Sequence, residues 1–541
     1  MNFLRFHYFG GLLFESWPDV LLGLPGGPES SGGNGTPFSN VIGSIDIPGF
    51  YDRAWRILDG DAFVQDDVKL GSSLTLNVGL RYERLGSIGD TLGRNGGFDP
   101  SLANPNPPAG GTLRGYVVSD NFPSTIPAGV TQLKNNFGIR GDHQNNWEPR
   151  MGFAWRLPRT KIHFTDRMVL RGGYGIYYSR TTGQPFIQLG TAPPFGLARE
   201  TILSPTLSFS HPFGPNVDFP LFAPYSPATN LGFEIVDQHY RPPRTQTYSL
   251  NLQAGLGHNL LLEIGYVGSR GDHLIVGHNI DQPLLASESN PIRGVTTNTI
   301  ANIPLRLPIP GFNPTNGGLF DIDSLAVSRY NALQVSLTRR LSRRLQFLAA
   351  YTFSHAYSDA GANTSAAGGG QAGDQVNLVQ NYGRSDFNRA HRFIISYILS
   401  FGNPEKLGRF LNSVLGGWSW SGVTTIQSGL PLILMGRNAN NVYGWTTDRV
   451  QIAPGCTYSQ LTNPGSTTHN LNSYFNTGCI SNTWPVVGAD GMATAFGNSG
   501  VGIVFGPGQH NFDMALIKRH RLGILREGSN LEFRAEAFNV I

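Results

Sequence analysis

Residues 72–86 read SSLTLNVGLRYERLG. Leu74, Leu76, Val78, Leu80 and Tyr82 fall on one side of an extended chain, and Thr75, Asn77, Gly79, Arg81 and Glu83 on the other. Successive side chains of a strand point to opposite faces, so this alternation is a strand signal. The run is about twice the usual strand length of about 5–6 residues. A strand that long, apolar on one face and charged on the other, needs a reason.

The preceding residues, AFVQDDVKL (62–70), pair with it through a very short turn, and the pattern recurs along the chain. Residues 146–157 are followed by 167–180, 245–256 by 259–271, 329–341 by 344–357, 388–401 by 416–429, and 510–522 by 529–541. Each pair reads as a hairpin. About twelve strands of similar length result, with no fixed-length repeat of the propeller or solenoid kind. Turns within hairpins are short. Connections between hairpins (85–145, 181–244, 272–328, 358–387 and 430–509) are long and rich in Gly, Pro, Asn, Ser and Thr. A strand crossing a bilayer needs about 9–11 residues at its usual tilt. Short turns at one end and long loops at the other match an outer-membrane barrel, with apolar side chains toward lipid and polar ones toward a wet lumen. The expected fold is therefore all-β, an antiparallel transmembrane β-barrel with long extracellular loops and short periplasmic turns. Residues 62–541 form the barrel, and 1–61 are a partial barrel strand and loop region.

Composition agrees. Charged residues are 14% of the 541-residue chain, where soluble domains average about 25%. Glycine, at 69 residues, is close to twice its usual share of about 7%. No run of about 18 apolar residues reads as a transmembrane helix. A net charge of +4 over this length gives no nucleic-acid footprint. Glu263, Arg171, Arg534 and Glu536 all fall in the polar register, as a lipid-facing wall requires. Tyr82, Tyr178, Tyr266, Trp155, Tyr351 and Phe353 lie toward strand ends, where an aromatic girdle belongs. Residues 1–27 show no clean signal peptide, because Glu15, Trp17-Pro18 and Asp19 interrupt the apolar run.

Chemistry is sparse. Cys456 and Cys479, the two cysteines, lie in a Pro/Asn/Ser/Thr-rich stretch and read as a loop disulfide formed in an oxidising compartment; two free buried thiols are the alternative. Asp66-Asp67 read as polar strand and lumen residues. His273, His278, His355, His391, His510 and His520 have no metal-ligand spacing, and His391 is placed at the polar rim. No GxSxG or phosphate-loop context occurs, so no catalytic, cofactor or metal site is expected and the chain is not read as an enzyme. The cluster NANNVYGWTTDR (438–449) offers aromatics to a ligand, but such loop aromatics ordinarily pack against neighbouring loops. No substrate-binding residue is assigned.

The strands NWEPRMGFAW, VLRGGYGIYY, RPPRTQTYSLNLQ, LLEIGYVGSRGDHL, YNALQVSLTRR, RSDFNRAHRFIISYIL, GGWSWSGVTTIQSGLPL and NLEFRAEAFNV resemble, in order, those of the Oar-like TonB-dependent receptors of acidobacterial type. That resemblance implies a 22-stranded barrel and an N-terminal plug. It also implies uptake of a bulky solute (carbohydrate, peptide or siderophore) energised through the TonB–ExbB–ExbD complex. FESWPDVLLGLPGG (14–27) resembles a region inside that barrel, so the chain is expected to be an internal fragment without plug or signal peptide. Two other readings differ in class. A non-energised surface or adhesive barrel uses its outer loops alone. A secreted soluble β-rich protein acting on polysaccharide buries its apolar faces between sheets.

Overall fold

The computed structural model describes residues 11–14, 17, 21, 41–46, 52–134, 145–158, 168–180, 190, 192–195, 199–202, 222–257, 259–314, 318–342, 344–360, 372–402, 408–437, 441–445, 447–462, 474–481, 487–521 and 529–540. Twelve long strands carry the fold. They are β1 (Gly60–Leu70), β2 (Leu74–Arg84), β3 (Asn146–Arg156), β4 (Met168–Tyr178), β5 (Arg244–Gly257) and β6 (Leu260–Asn279), then β7 (Leu319–Ser342), β8 (Leu345–Ser358), β9 (His391–Gly402), β10 (Trp418–Gln427), β11 (Gln509–Arg521) and β12 (Asn530–Ala537). Each pairs antiparallel with the next in chain order, a simple meander from β1 to β12. All six expected hairpins are present. Gly71 (φ 69°) makes the β1–β2 turn, and Gly257 (φ 80°) with Asn259 (φ 61°) makes the β5–β6 turn; only residues at ease with a positive φ close hairpins this tightly.

The register keeps one face apolar across the whole sheet. Residues directly opposite in an antiparallel pair share a face. Leu76 opposes Phe153, Leu170 opposes Leu252, Leu252 opposes Ile264, and Ile264 opposes Val335. The same row continues through Tyr351, Phe393 and Ile426. Many of these side chains remain open: Met151 is 58% exposed, Val78 55% and Leu250 49%. The buried clusters lie in the connections and upper strand ends, so no second sheet covers this face among the described residues. That removes the polysaccharide-active sandwich. Hydrocarbon is the solvent that such a surface fits. The glycines help, because Gly268 and Gly172 sit beneath the rings of Tyr248 and Phe153, where a Cβ would collide.

Aromatic side chains mark two levels on the apolar face. At the long-loop end, Tyr82 packs on Trp147 (4.9 Å), Tyr248 on Tyr266 (6.2 Å) and Phe353 on His391 (5.0 Å). At the short-turn end, Tyr397 meets Trp420 (5.1 Å) and the Lys518 ammonium lies over Trp418 (5.2 Å). Trp147 and Trp155 occupy opposite ends of β3, about 27 Å apart at about 3.4 Å per residue. At a tilt of about 35–45° this spans about 19–22 Å of the membrane normal, within an apolar band about 25 Å tall. Just above it the outward register turns ionic, with Arg244 and Arg270 at 2.9 and 3.1 Å from Asp272.

Asp66 breaks the pattern. It opposes Val78 on the apolar face, whereas Asp67 opposes Asn77 on the polar one. Adjacent strand residues cannot share a face, so the reading of both as lumen residues holds for Asp67 alone, and nothing in the structure explains Asp66.

Sequence and structure differ most above the membrane. Residues 272–279 and 319–328, expected as loop, continue β6 and β7 to 20 and 24 residues. Irregular pairing around Leu274 and the positive φ of His273 (57°) disrupt the alternation there, which hides the strands from a period-two reading. Phe233–Val236 adds a short parallel partner to β7. Within the region read as a partial barrel strand and loop, Val41–Asp46 pairs with Gly11–Phe14 on one side and Arg199–Ile202 on the other in a separate small sheet.

Candidate functional site

The polar face of the sheet and the cap above it are where the chain offers chemistry. Near the long-loop end of the polar face, β1, β2 and β3 present a charge cluster. Arg81 lies 3.1 Å from both Asp61 and Glu83 and 3.9 Å from Glu148. Glu148 is 3% exposed and accepts from Arg150 at 2.6 Å and from the Tyr178 amide at 3.0 Å. Farther along, Gln253 donates to Glu263 at 2.6 Å, and near the other edge Arg534 contacts Glu536 at 2.5 Å. The solvent-exposed members of this set are screened by water and add little to stability. Their larger effect is to make the wall wettable. Two open recesses of about 540 and 570 Å³ lie along the sheet, the first lined by Asn77, Arg150, Tyr177, Thr247 and Ser249 among others.

The long connections pack into a cap with cores of their own. Phe98, Tyr116, Tyr225, Phe233 and Phe312 form an edge-to-face aromatic cluster, with Phe312 about 5 Å from Phe98, Tyr225 and Phe233. The Tyr116 hydroxyl donates to the Ala223 carbonyl at 2.8 Å, and burial raises its pKa. Arg306, fully buried, fastens two connections by donating to the carbonyls of Leu284 (2.8 Å), Thr299 (3.1 Å) and Val442 (2.5 Å) and to Asn302 (2.7 Å). Arg449 does likewise, donating to the Gln380 carbonyl and side chain at 2.7 and 2.8 Å. Cys456 and Cys479 are bonded, with Cα atoms 5.6 Å apart, beside Leu461 and Val504.

Loop aromatics expected to pack do so. Tyr443 stacks on Phe496 at 4.5 Å, and burial pushes its hydroxyl up to about 12. Trp445 packs against the cluster of Ile88, Tyr240 and Ile322; Asn438, Ala439 and Asn440 lie outside the described residues. His391, expected to face the polar rim, lies at the long-loop end but in the outward register opposite Phe353, with its Nδ1 2.8 Å from the Tyr351 hydroxyl. His355 and His510 share that register, and His520 lies near the short-turn end. His278 is different. It is buried opposite Asp321 in the extended part of β6 and β7, and Asp323 stands two residues on along the same face. Burial lowers the His278 imidazole pKa, and burial with acidic neighbours raises those of Asp321 and Asp323. Spacing rules missed this cluster because its members come from two strands. The signal was Asp321-Ile322-Asp323, an alternation that puts both carboxylates on one face.

A family model described as an outer membrane beta barrel domain matches residues 10–541. No curated protein matches the chain. Similar solved structures include the outer membrane transporter YddB from Escherichia coli, at 12% identity and TM-score 0.40, covering 90% of this chain and 41% of that one. The ferripyoverdine receptor of Pseudomonas aeruginosa follows at 8% identity and TM-score 0.35, covering 89% and 34%. The ferric-catecholate import receptor Fiu of Escherichia coli K12 is at 10% and 0.34, covering 92% and 40%. The chain thus spans less than half the length of each of these proteins.

Proposed function

This chain belongs to the outer membrane beta barrel domain family, and we propose that within it the chain forms the wall and outer cap of a TonB-dependent receptor of the Oar-like type. The full protein takes up a bulky solute, drawing energy through TonB, ExbB and ExbD. The observation that carries this reading is the pairing of a wide, polar-faced meander with a folded cap. A simple pore needs a wetted wall but no such superstructure. A receptor needs both, because recognition is carried by loops held on a rigid scaffold. The meander ends at β1 and β12, which do not pair with each other among the described residues. Lipid does not tolerate unpaired edges, so we read the twelve strands as a contiguous arc of a larger barrel, as the 22 strands of the resemblance imply. The contact with TonB belongs to a plug segment outside this arc.

The test is energised uptake by the full-length protein in its own outer membrane. Cells with and without the gene are offered labelled oligosaccharides, peptides and ferric siderophores, with and without a protonophore. One class is expected to accumulate only in energised cells that carry the gene. Gene-dependent binding at the surface with no energised accumulation would instead favour the adhesive or non-energised barrel.

A further inference from the structure

We infer that His278, Asp321 and Asp323 form a binding site for a divalent transition-metal cation, which fastens the upper ends of β6 and β7 to the loop cap. This rests on the local geometry and stands whether or not the barrel is an energised transporter. One potential ligand atom from each residue lies within 4.8 Å of the others. Ligands bound at about 2.0–2.2 Å to one ion sit about 3–4.4 Å apart, so the three groups need only small adjustments.

The hydrogen bonding is what points to a ligand. The His278 Nδ1 lies 2.9 Å from the Gln375 carbonyl oxygen, which only accepts, so Nδ1 carries the proton. In the neutral ring that leaves Nε2 as a bare lone pair, the form that binds metals, held by the backbone contact common behind metal-bound histidines. His278 is 8% exposed and Asp321 is 7% exposed. Neither Nε2 of the one nor Oδ1 of the other has a hydrogen-bond partner among the described residues. The Nε2 lone pair and the Asp321 and Asp323 carboxyl oxygens converge in a buried space, and a cation satisfies such a set of acceptors. Asp323 is oriented by the Ser324 amide, which donates to its Oδ1 at 2.5 Å.

The donor set indicates the class of ion. One imidazole and two carboxylates suit zinc-like cations, whereas calcium sites are built from oxygens alone and in greater number. The surroundings indicate the consequence. Gln375, which holds His278, also accepts from the Asn279 amide at 3.1 Å and is itself fixed by Gln282 at 2.8 Å. The Asp237 amide donates to the Ile322 carbonyl at 3.0 Å. The ion therefore sits where three separate connections meet.

The test uses protein purified from outer membranes in detergent, stripped with chelator and titrated with Zn²⁺ against a chromophoric competitor. One equivalent is expected to bind and to slow proteolysis of the cap. His278→Ala, Asp321→Asn and Asp323→Asn are each expected to weaken binding by about tenfold or more, and His520→Ala to leave it unchanged. Heat-dependent gel mobility confirms that every variant keeps its barrel. Wild-type protein that takes up no stoichiometric Zn²⁺, folded variants that bind as wild type does, or a site that takes Ca²⁺ and not Zn²⁺ would each overturn the proposal.

Discussion

Asp281 shows how far a single side chain in the cap departs from its solution behaviour. Its Oδ1 accepts from the Ile309 amide at 2.7 Å, and burial pushes the carboxyl up to about 8, with Arg293 opposing the shift. The folded state therefore holds a proton that the unfolded chain gives up near its ordinary value of 3.8. A raised carboxyl stabilises the fold fully below that ordinary value and loses its contribution as pH climbs toward 8. The slope is at most about 1.4 kcal/mol per pH unit. Amide exchange across residues 279–309 should accordingly show weaker protection at pH 8 than at pH 5, after correction for intrinsic rates. Asp281→Asn, which keeps the acceptor and cannot ionise, should flatten that dependence; an unchanged slope would place the titration elsewhere. None of this was legible in the sequence, where Asp281 is one aspartate in a long polar loop. Burial created by distant residues sets its properties, as it does for His278 and Arg306.

Individual strands were far more legible. Leu74 to Tyr82 alternate because one side meets hydrocarbon and the other water, and that local requirement is written in every second residue. The alternation fails where the solvent on the two faces stops differing. Past Gly271 the strands rise out of the membrane into the cap, and β6 and β7 run on under bulges that no period-two pattern announces. The connections were legible as long and turn-rich but not as folded bodies, since an aromatic cluster such as Phe98, Tyr225 and Phe312 is assembled from separate connections. The body containing Cys456 and Cys479 illustrates the difference. Their bond closes a segment with a separation of 23 residues, worth about 3 kcal/mol by the chain-entropy estimate. Replacing both cysteines by serine should leave the barrel's heat-dependent gel mobility intact while speeding proteolysis within 447–505. Equal proteolysis of variant and wild type would mean that packing around Leu461 and Val504 holds this body unaided.

At the scale of the molecule, the chain is a wall with two different solvents. Its apolar row runs from Leu74 through Trp155, Leu170 and Leu252 to Ile426 across eight strand pairings, and its polar row carries charges that hydrocarbon would not accept. No helix among the described residues is long and apolar enough to cross a membrane. The most direct measurement is a nitroxide scan of residues 247–254, with the protein in lipid vesicles and collisions read separately with oxygen and with a water-soluble nickel chelate. Labels at Tyr248, Leu250, Leu252 and Ala254 are expected to meet oxygen, and labels at Thr247, Ser249, Asn251 and Gln253 the nickel chelate, in strict alternation. A scan in which both sets collide with the same reagent would show that this face does not meet lipid, and the membrane-spanning wall would fall with it.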